Sequence, residues 1–334
     1  MRKYFIIILI AFSTFLFAEV PQQFTEIGDL ILESGEIIKD CKIGYSIIGE
    51  ANADSSNIIM FPTWFGGLSK HLVSLIEKHN FINRDKFMII CVDALGNGIS
   101  TSPSNYASEL PTFSIRDMVK TQHIMLTKHL KINHLYAIVG GSMGSFQVFQ
   151  WLVDYPNFMD KAVTYVCSPQ RTSSDKMWLN MEKDIITLHQ QYEIPEGETQ
   201  RIMNILTSFV ARSQNYISRD IESSEFDEYY KKFKADISRP YGIDNRLSQI
   251  NAMLQHDITK DFNNSLEETA KNIKAEMLII VSDSDQIVNP QPAIKLAEIS
   301  GSELIVISNE CGHLVAGCDM ENFVGYIESF LKNP

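Results

Sequence analysis

Positive charge is what this chain most conspicuously lacks. Its 334 residues carry 29 Lys and Arg against 41 Asp and Glu, a formal net charge of −12. No face is expected to be basic enough to follow a phosphate backbone, so nucleic acid is not an expected partner. Cysteine is scarce and odd in number, with five in all, which argues against a disulfide framework. Cys91 and Cys167 lie in apolar runs, where a thiol behaves as a small hydrophobe. Cys311 and Cys318 are near enough to pair in an oxidising compartment, and that pairing stays open. Their stretch, CGHLVAGC, offers two thiols and one histidine, short of a four-ligand zinc site. Neither a metal nor a cofactor is expected. DALGNGISTSPS lacks a third glycine and opens no helix, which excludes a dinucleotide-binding fingerprint there. Internal repeats and low-complexity tracts are missing as well.

Only one apolar run is long, Tyr4 to Ala18, and it falls short of the roughly 20 residues that span a bilayer. It follows Arg2 and Lys3 and gives way to polar residues. A basic start, an apolar core and a small residue at Ala18 predict a secretory signal over residues 1–18, cleaved near Ala18, and hence export. An uncleaved anchor is the alternative reading.

The remainder alternates. NIIMFPTW, FMIICVDAL, LYAIVGGS, AVTYVCSP, EMLIIVSDSD and ELIVISNECGH are short, near-continuous apolar runs. Such runs suit a parallel sheet covered on both faces. EIIKDCKIGYSIIG is expected to form a hairpin. LSKHLVSLIEKHN and SIRDMVKTQHIMLTKHL have helical periodicity. The pattern predicts a mostly parallel, doubly wound α/β sheet. From 171 to 274 no convincing strand occurs, only amphipathic helical stretches. We therefore expect a core formed by residues 19–170 and 275–334, with 171–274 inserted as a helical cap over the sheet edge where such folds bind ligands.

At the end of one strand, Gly140-Gly141-Ser142-Met143-Gly144 fits G-x-S-x-G. A nucleophile needs to stand clear of the sheet on a tight strand-to-helix turn, with small neighbours and a helix N-terminus beside it. A hydroxyl needs a base, and the base an orienting acid. Of eight histidines, only His313 follows a strand and a glycine near the chain's end. Asp285 is preferred as the acid, with Asp283 as the alternative. An oxyanion needs two donors. The N–H of Met143 is one, and the loop FPTWFGG supplies the other, preferably from Trp64, with Phe65 next. Phe65 and Gly66 are expected in the substrate pocket.

With these residues assembled, the chain resembles the homoserine O-acetyltransferase-like branch of the α/β-hydrolase superfamily. The resemblance rests on IRDMV followed by GGSMG, and on NAMLQHDIT, SDSDQIVNP and CGHL. It implies an α/β-hydrolase fold and an acyl-serine intermediate, with Ser142 as nucleophile, Asp285 as acid and His313 as base. The departures are as telling. Ser145 replaces a glycine of the family, and PTWFG replaces its H-A-L-T-G loop. The family's carboxylate-binding arginine has no counterpart in MWLNMEKDII. Lys183 is the cation there, placing it in the expected pocket, but a lysine cannot supply a guanidinium's two-pronged grip.

The expected function is hydrolysis of a small ester or thioester through an acyl-serine intermediate. One alternative is O-acetyl transfer from acetyl-CoA to an alcohol. A catalytically silent α/β-hydrolase-like binding protein is the other.

Overall fold

A computed structural model describes residues 20–235 and 242–332. The expected signal segment, residues 1–18, lies outside the described residues. Eight strands form one sheet: β1 (Gln23–Ile31), β2 (Ile37–Ile48), β3 (Ile58–Pro62), β4 (Met88–Val92), β5 (Leu135–Gly141), β6 (Met159–Tyr165), β7 (Glu276–Ser282) and β8 (Glu303–Ile307), in the spatial order β1-β2-β4-β3-β5-β6-β7-β8. Strands β3 to β8 run parallel to one another, while β2 is antiparallel to both neighbours. Pairing of β1 with β2 is irregular at two places, between Glu26 and Gly28 and between Gly28 and Leu30.

The helices are α1 (Ser69–His79), α2 (Ile115–Ile124), α3 (Met143–Asp154), α4 (Ser173–Tyr192), α5 (Glu196–Val210), α6 (Gln214–Asp220), α7 (Phe226–Ala235), α8 (Ile243–Leu254), α9 (Leu266–Asn272), α10 (Gln291–Ser300), α11 (Val315–Cys318) and α12 (Met320–Leu331). Successive strand residues feed two apolar layers. Ile58 and Met60 of β3 belong to the same layer as Met118 of α2, Phe149 of α3 and Leu296 of α10, whereas Ile59 and Phe61 belong with Leu72 of α1 and Phe323 of α12. Two-sided burial explains the unbroken apolar runs, because each fully buried aliphatic side chain contributes about 1.5–3 kcal/mol.

One expectation fails. Residues 37–48 form a single twelve-residue strand instead of a hairpin. The fold-back comes earlier, at 32–36, where Leu32 N–H donates to Glu36 O at 2.8 Å, so β1 is the partner strand. Gly44 lies mid-strand, where a Cβ would come within 2.6 Å of the Ile99 side chain.

Between β6 and β7 the described residues carry α4 to α9 and, apart from one isolated bridge between Gln170 and Asp257, no strand pairing. Parallel strands bring the loops after β3, β5, β7 and β8 to one sheet edge. Among the described residues, no helix is long and apolar enough to cross a membrane.

Candidate active site

Ser142 stands between β5 and α3 with φ 53° and ψ −126°. L-residues rarely adopt this conformation, and it costs about 1–3 kcal/mol. Its neighbours hold it there. A Cβ at Gly141 would lie 2.0 Å from the Tyr165 ring, and one at Gly144 would lie 2.7 Å from Pro62 O. The glycines let β6 and the loop after β3 press directly on the turn. Ser142 N–H donates to Tyr165 O at 3.0 Å, and Ser142 O accepts from Ser145 N–H at 2.8 Å and Ser145 Oγ at 2.5 Å. The hydroxyl at 145 therefore braces the turn.

Ser142 Oγ lies 2.9 Å from His313 Nε2, and His313 Nδ1 lies 2.8 Å from Asp285 Oδ2. The other carboxylate oxygen, Oδ1, accepts from Ile287 and Val288 N–H at 2.9 and 3.0 Å. This double anchor fixes the carboxylate plane. A carboxylate opposite Nδ1 favours the proton there, which leaves the Nε2 lone pair facing the serine. The arrangement can thus draw a proton from Ser142. Asp283, the alternative acid, is exposed and its N–H donates to Ile307 O.

The segment bearing His313 is fastened on three sides. His313 N–H donates to Ala211 O at 3.0 Å, Gly312 N–H donates to Ser284 Oγ at 3.2 Å, and a disulfide joins Cys311 to Cys318. The pairing left open by the sequence is therefore made. Among the described residues, no cluster of three or more His, Cys, Asp or Glu side chains could hold a metal ion.

Met143 is the first residue of α3, so its N–H has no acceptor within the helix. The loop after β3 lies against the start of α3, with Gly144 close to Pro62 O and Gln147 Nε2 donating to Thr63 O at 3.0 Å. Trp64 follows directly, its indole stacked on His71. Trp64, Phe65 and Gly66 all line a cleft of about 1520 Å³ that opens onto Ser142 and His313.

Lys183 does not line that cleft. Its ammonium donates to Asn251 Oδ1 at 3.0 Å, while its neighbour Glu182 faces the cleft. One residue along a helix turns a side chain by about 100°, enough to separate wall from back. Glu182 takes Arg246 of α8 through two contacts, at 2.5 and 3.1 Å, and that guanidinium sits 4.9 Å from the centre of the Phe65 ring. Arg171 also reaches the cleft, stacked 3.8 Å over Phe146. Burial pushes its pKa down to about 10, with Asp175 and Asp285 opposing the shift. Arg171, Glu182 and Arg246 carry no motif that singles them out in the sequence.

The alpha/beta hydrolase fold family matches residues 57–316. The chain belongs to this family. A probable esterase of Corynebacterium glutamicum is 27% identical to this α/β-hydrolase over 350 residues, 96% of this chain and 98% of its own. The ethyl acetate hydrolase of Pseudomonas veronii is also 27% identical, over 340 residues, 94% of this chain and 96% of its own. Homoserine O-acetyltransferases match as well, that of Methanosalsum zhilinae at 28% over 305 residues, 78% of this chain and 61% of its own. Among solved structures, an acetylester hydrolase from Corynebacterium glutamicum has the same fold, with a TM-score of 0.83, 24% identity, and coverage of 93% of this chain and 95% of that one.

Proposed function

We propose that this α/β-hydrolase hydrolyses a small ester or thioester through an acyl-Ser142 intermediate. The unbroken line from Ser142 Oγ to His313 Nε2 and from Nδ1 to Asp285 carries the reading. Ser142 Oγ attacks the acyl carbon as His313 Nε2 takes its proton. The N–H groups of Met143 and Trp64 receive the charge that develops on the carbonyl oxygen. His313 then protonates the departing alcohol or thiol, and a water activated by the same nitrogen releases the acid. Asp285 stays ionised and steadies the imidazolium.

Relatives described as an esterase and an ethyl acetate hydrolase, matched nearly end to end, support water as the acceptor. Transfer to an alcohol is the second reading, favoured by a cleft with room for an acceptor beside the acyl group. An amino-acid carboxylate finds no cation at Lys183, which is turned toward Asn251, and Arg246 is already engaged by Glu182. We also propose export, on the basic and apolar N-terminal segment and a disulfide next to His313. The mass of the mature N-terminus tests that point.

Intact-mass measurements with p-nitrophenyl acetate should trap an acetyl group on Ser142. Ser142→Ala should remove the adduct and lower turnover at least about a thousandfold. Unchanged esterase activity in that variant refutes the reading. An adduct from acetyl-CoA that homoserine discharges faster than water does would decide for transfer.

A further inference from the structure

Behind the Ser142 turn, four buried groups form a directed chain of hydrogen bonds. Trp151 Nε1 donates to Gln122 Oε1 at 2.7 Å. Gln122 Nε2 donates to Gln147 Oε1 at 2.5 Å, and Gln147 Nε2 donates to Thr63 O at 3.0 Å. Trp151 and Thr63 are fully buried, as is Gln147, and Gln122 is 1% exposed. The direction of the chain is forced. An indole N–H can only donate, so Gln122 must turn its oxygen to Trp151. Its nitrogen is then left facing Gln147, which answers with oxygen and has only N–H to offer Thr63. Burial denies these amides a water with which to reverse, and reversal would leave polar groups unmatched.

The chain ends on the peptide between Thr63 and Trp64. A trans peptide is planar, and its C=O and N–H point in opposite directions. Holding Thr63 O toward Gln147 therefore turns Trp64 N–H the other way, away from α3 and toward the cleft that Trp64 and Ser142 both line. The same Gln147 nitrogen donates to Met143 O at 3.2 Å, tying this amide to the helical turn of the second donor. We propose that Gln147, oriented through Gln122 by Trp151, is a positioning residue that sets the Trp64 oxyanion donor. The proposal rests on the acyl-serine reading above. It gives a physical role to two buried glutamines where helices α2 and α3 meet.

The test compares a p-nitrophenyl ester with its thiono counterpart in wild type, Gln147→Met, Gln122→Glu and Trp151→Phe, alongside fluorophosphonate labelling of Ser142. Sulfur accepts hydrogen bonds weakly, so the oxo-to-thiono rate ratio reads the oxyanion donors and not general integrity. Gln147→Met should lower kcat for the oxo ester on the order of a hundredfold, the effect of losing one such donor. KM should stay within a few-fold, and the oxo preference should shrink. Gln122→Glu can still accept from Trp151, but it meets Gln147 with oxygen and forces that amide to turn over, so it should give the same signature. Trp151→Phe should give a weaker version. A wild-type ratio in Gln147→Met overturns the proposal, as does a loss of kcat at an unchanged ratio. Should that variant not fold, the same two outcomes in Gln122→Glu or Trp151→Phe decide. Wild-type protein that neither turns over ester nor takes the probe is a different result, and refutes the acyl-serine reading itself.

Discussion

Helix α3 buries eleven of its twelve residues, whereas α5, fifteen residues long, buries only Thr199 and Met203, and α6 buries none. On the α4 and α5 surfaces, Met177, Tyr192 and Phe209 are more than half exposed. The turn that bears Ser142 is thus fixed by close packing everywhere except where it faces the cleft. The helices between β6 and β7 also feed that core, with Leu179, Ile250 and Met253 in the same apolar layer as Phe146, and they add polar attachments near the site. Gln249 of α8 accepts from Gly66 N–H at 3.0 Å and donates to Leu95 O at 2.8 Å. Asp175 of α4 accepts from Asn289 N–H at 2.9 Å, and Ala211 O receives His313 N–H. Close packing around the turn tolerates little change, because even one extra methyl must displace backbone. The exposed outer faces of α4 and α5 are under no such constraint. The difference is one of packing: the serine turn is held by buried neighbours, whereas the outer faces of α4 and α5 stay exposed.

Three substitutions press on that division, in falling order of effect. Asp285→Asn keeps an oxygen for Ile287 and Val288 but favours the wrong His313 tautomer. Turnover should fall on the order of 10⁴-fold with the melting temperature little changed, as steady-state kinetics and a thermal melt would record. A loss no larger than that of a surface substitution would mean that the corner is not where the chemistry resides. Glu182→Gln leaves the Arg246 charge unpaired in a wall where the two side chains are 1% and 10% exposed. Stability should drop by about 3–5 kcal/mol in denaturant unfolding. A loss below about 1 kcal/mol would show that the pair does not hold α4 to α8.

The third prediction concerns pH. His256 packs on Phe146 at the boundary between the two regions, and its Nε2 is 3.2 Å from Ser168 O. Burial and the nearby Arg171 charge hold its pKa well below 6.5. The unfolded chain therefore takes up a proton at this site before the folded protein does. Stability is retained above pH 6.5 and declines as pH falls below it, by up to about 1.4 kcal/mol per pH unit from this residue. His256→Gln should flatten unfolding free energy against pH between roughly 6.5 and 5. An unchanged slope would place the titrating group elsewhere.

What the sequence made legible follows the same division. Strands buried on both faces announce themselves as apolar runs, and the Ser142 turn is local enough to be read from five residues. His313 and Asp285 are legible because parallel strands must end at one edge. Contacts that join distant segments are not. Gln147 and Trp151 share one face of α3, but Thr63 and Gln122 join them only once the chain has folded. Lys183 is expected in the pocket as the cation standing in for the family's arginine, and it is turned to Asn251 instead, a distinction of one helical position that periodicity does not resolve. The expected hairpin at 36–49 failed because the runs flanking Gly44 read equally well as two short strands or one long one.

The irregular pairing of β1 with β2 has a consequence for assembly. An outer strand with evenly spaced free amides is a template on which a neighbouring molecule can add its own strand, and β1 is long enough to serve as one. Two interruptions around Gly28 break that even spacing, and such breaks twist an edge away from a prospective partner. At the opposite side, β8 offers only five residues. Neither outer strand therefore presents a long, regular edge to a neighbouring molecule.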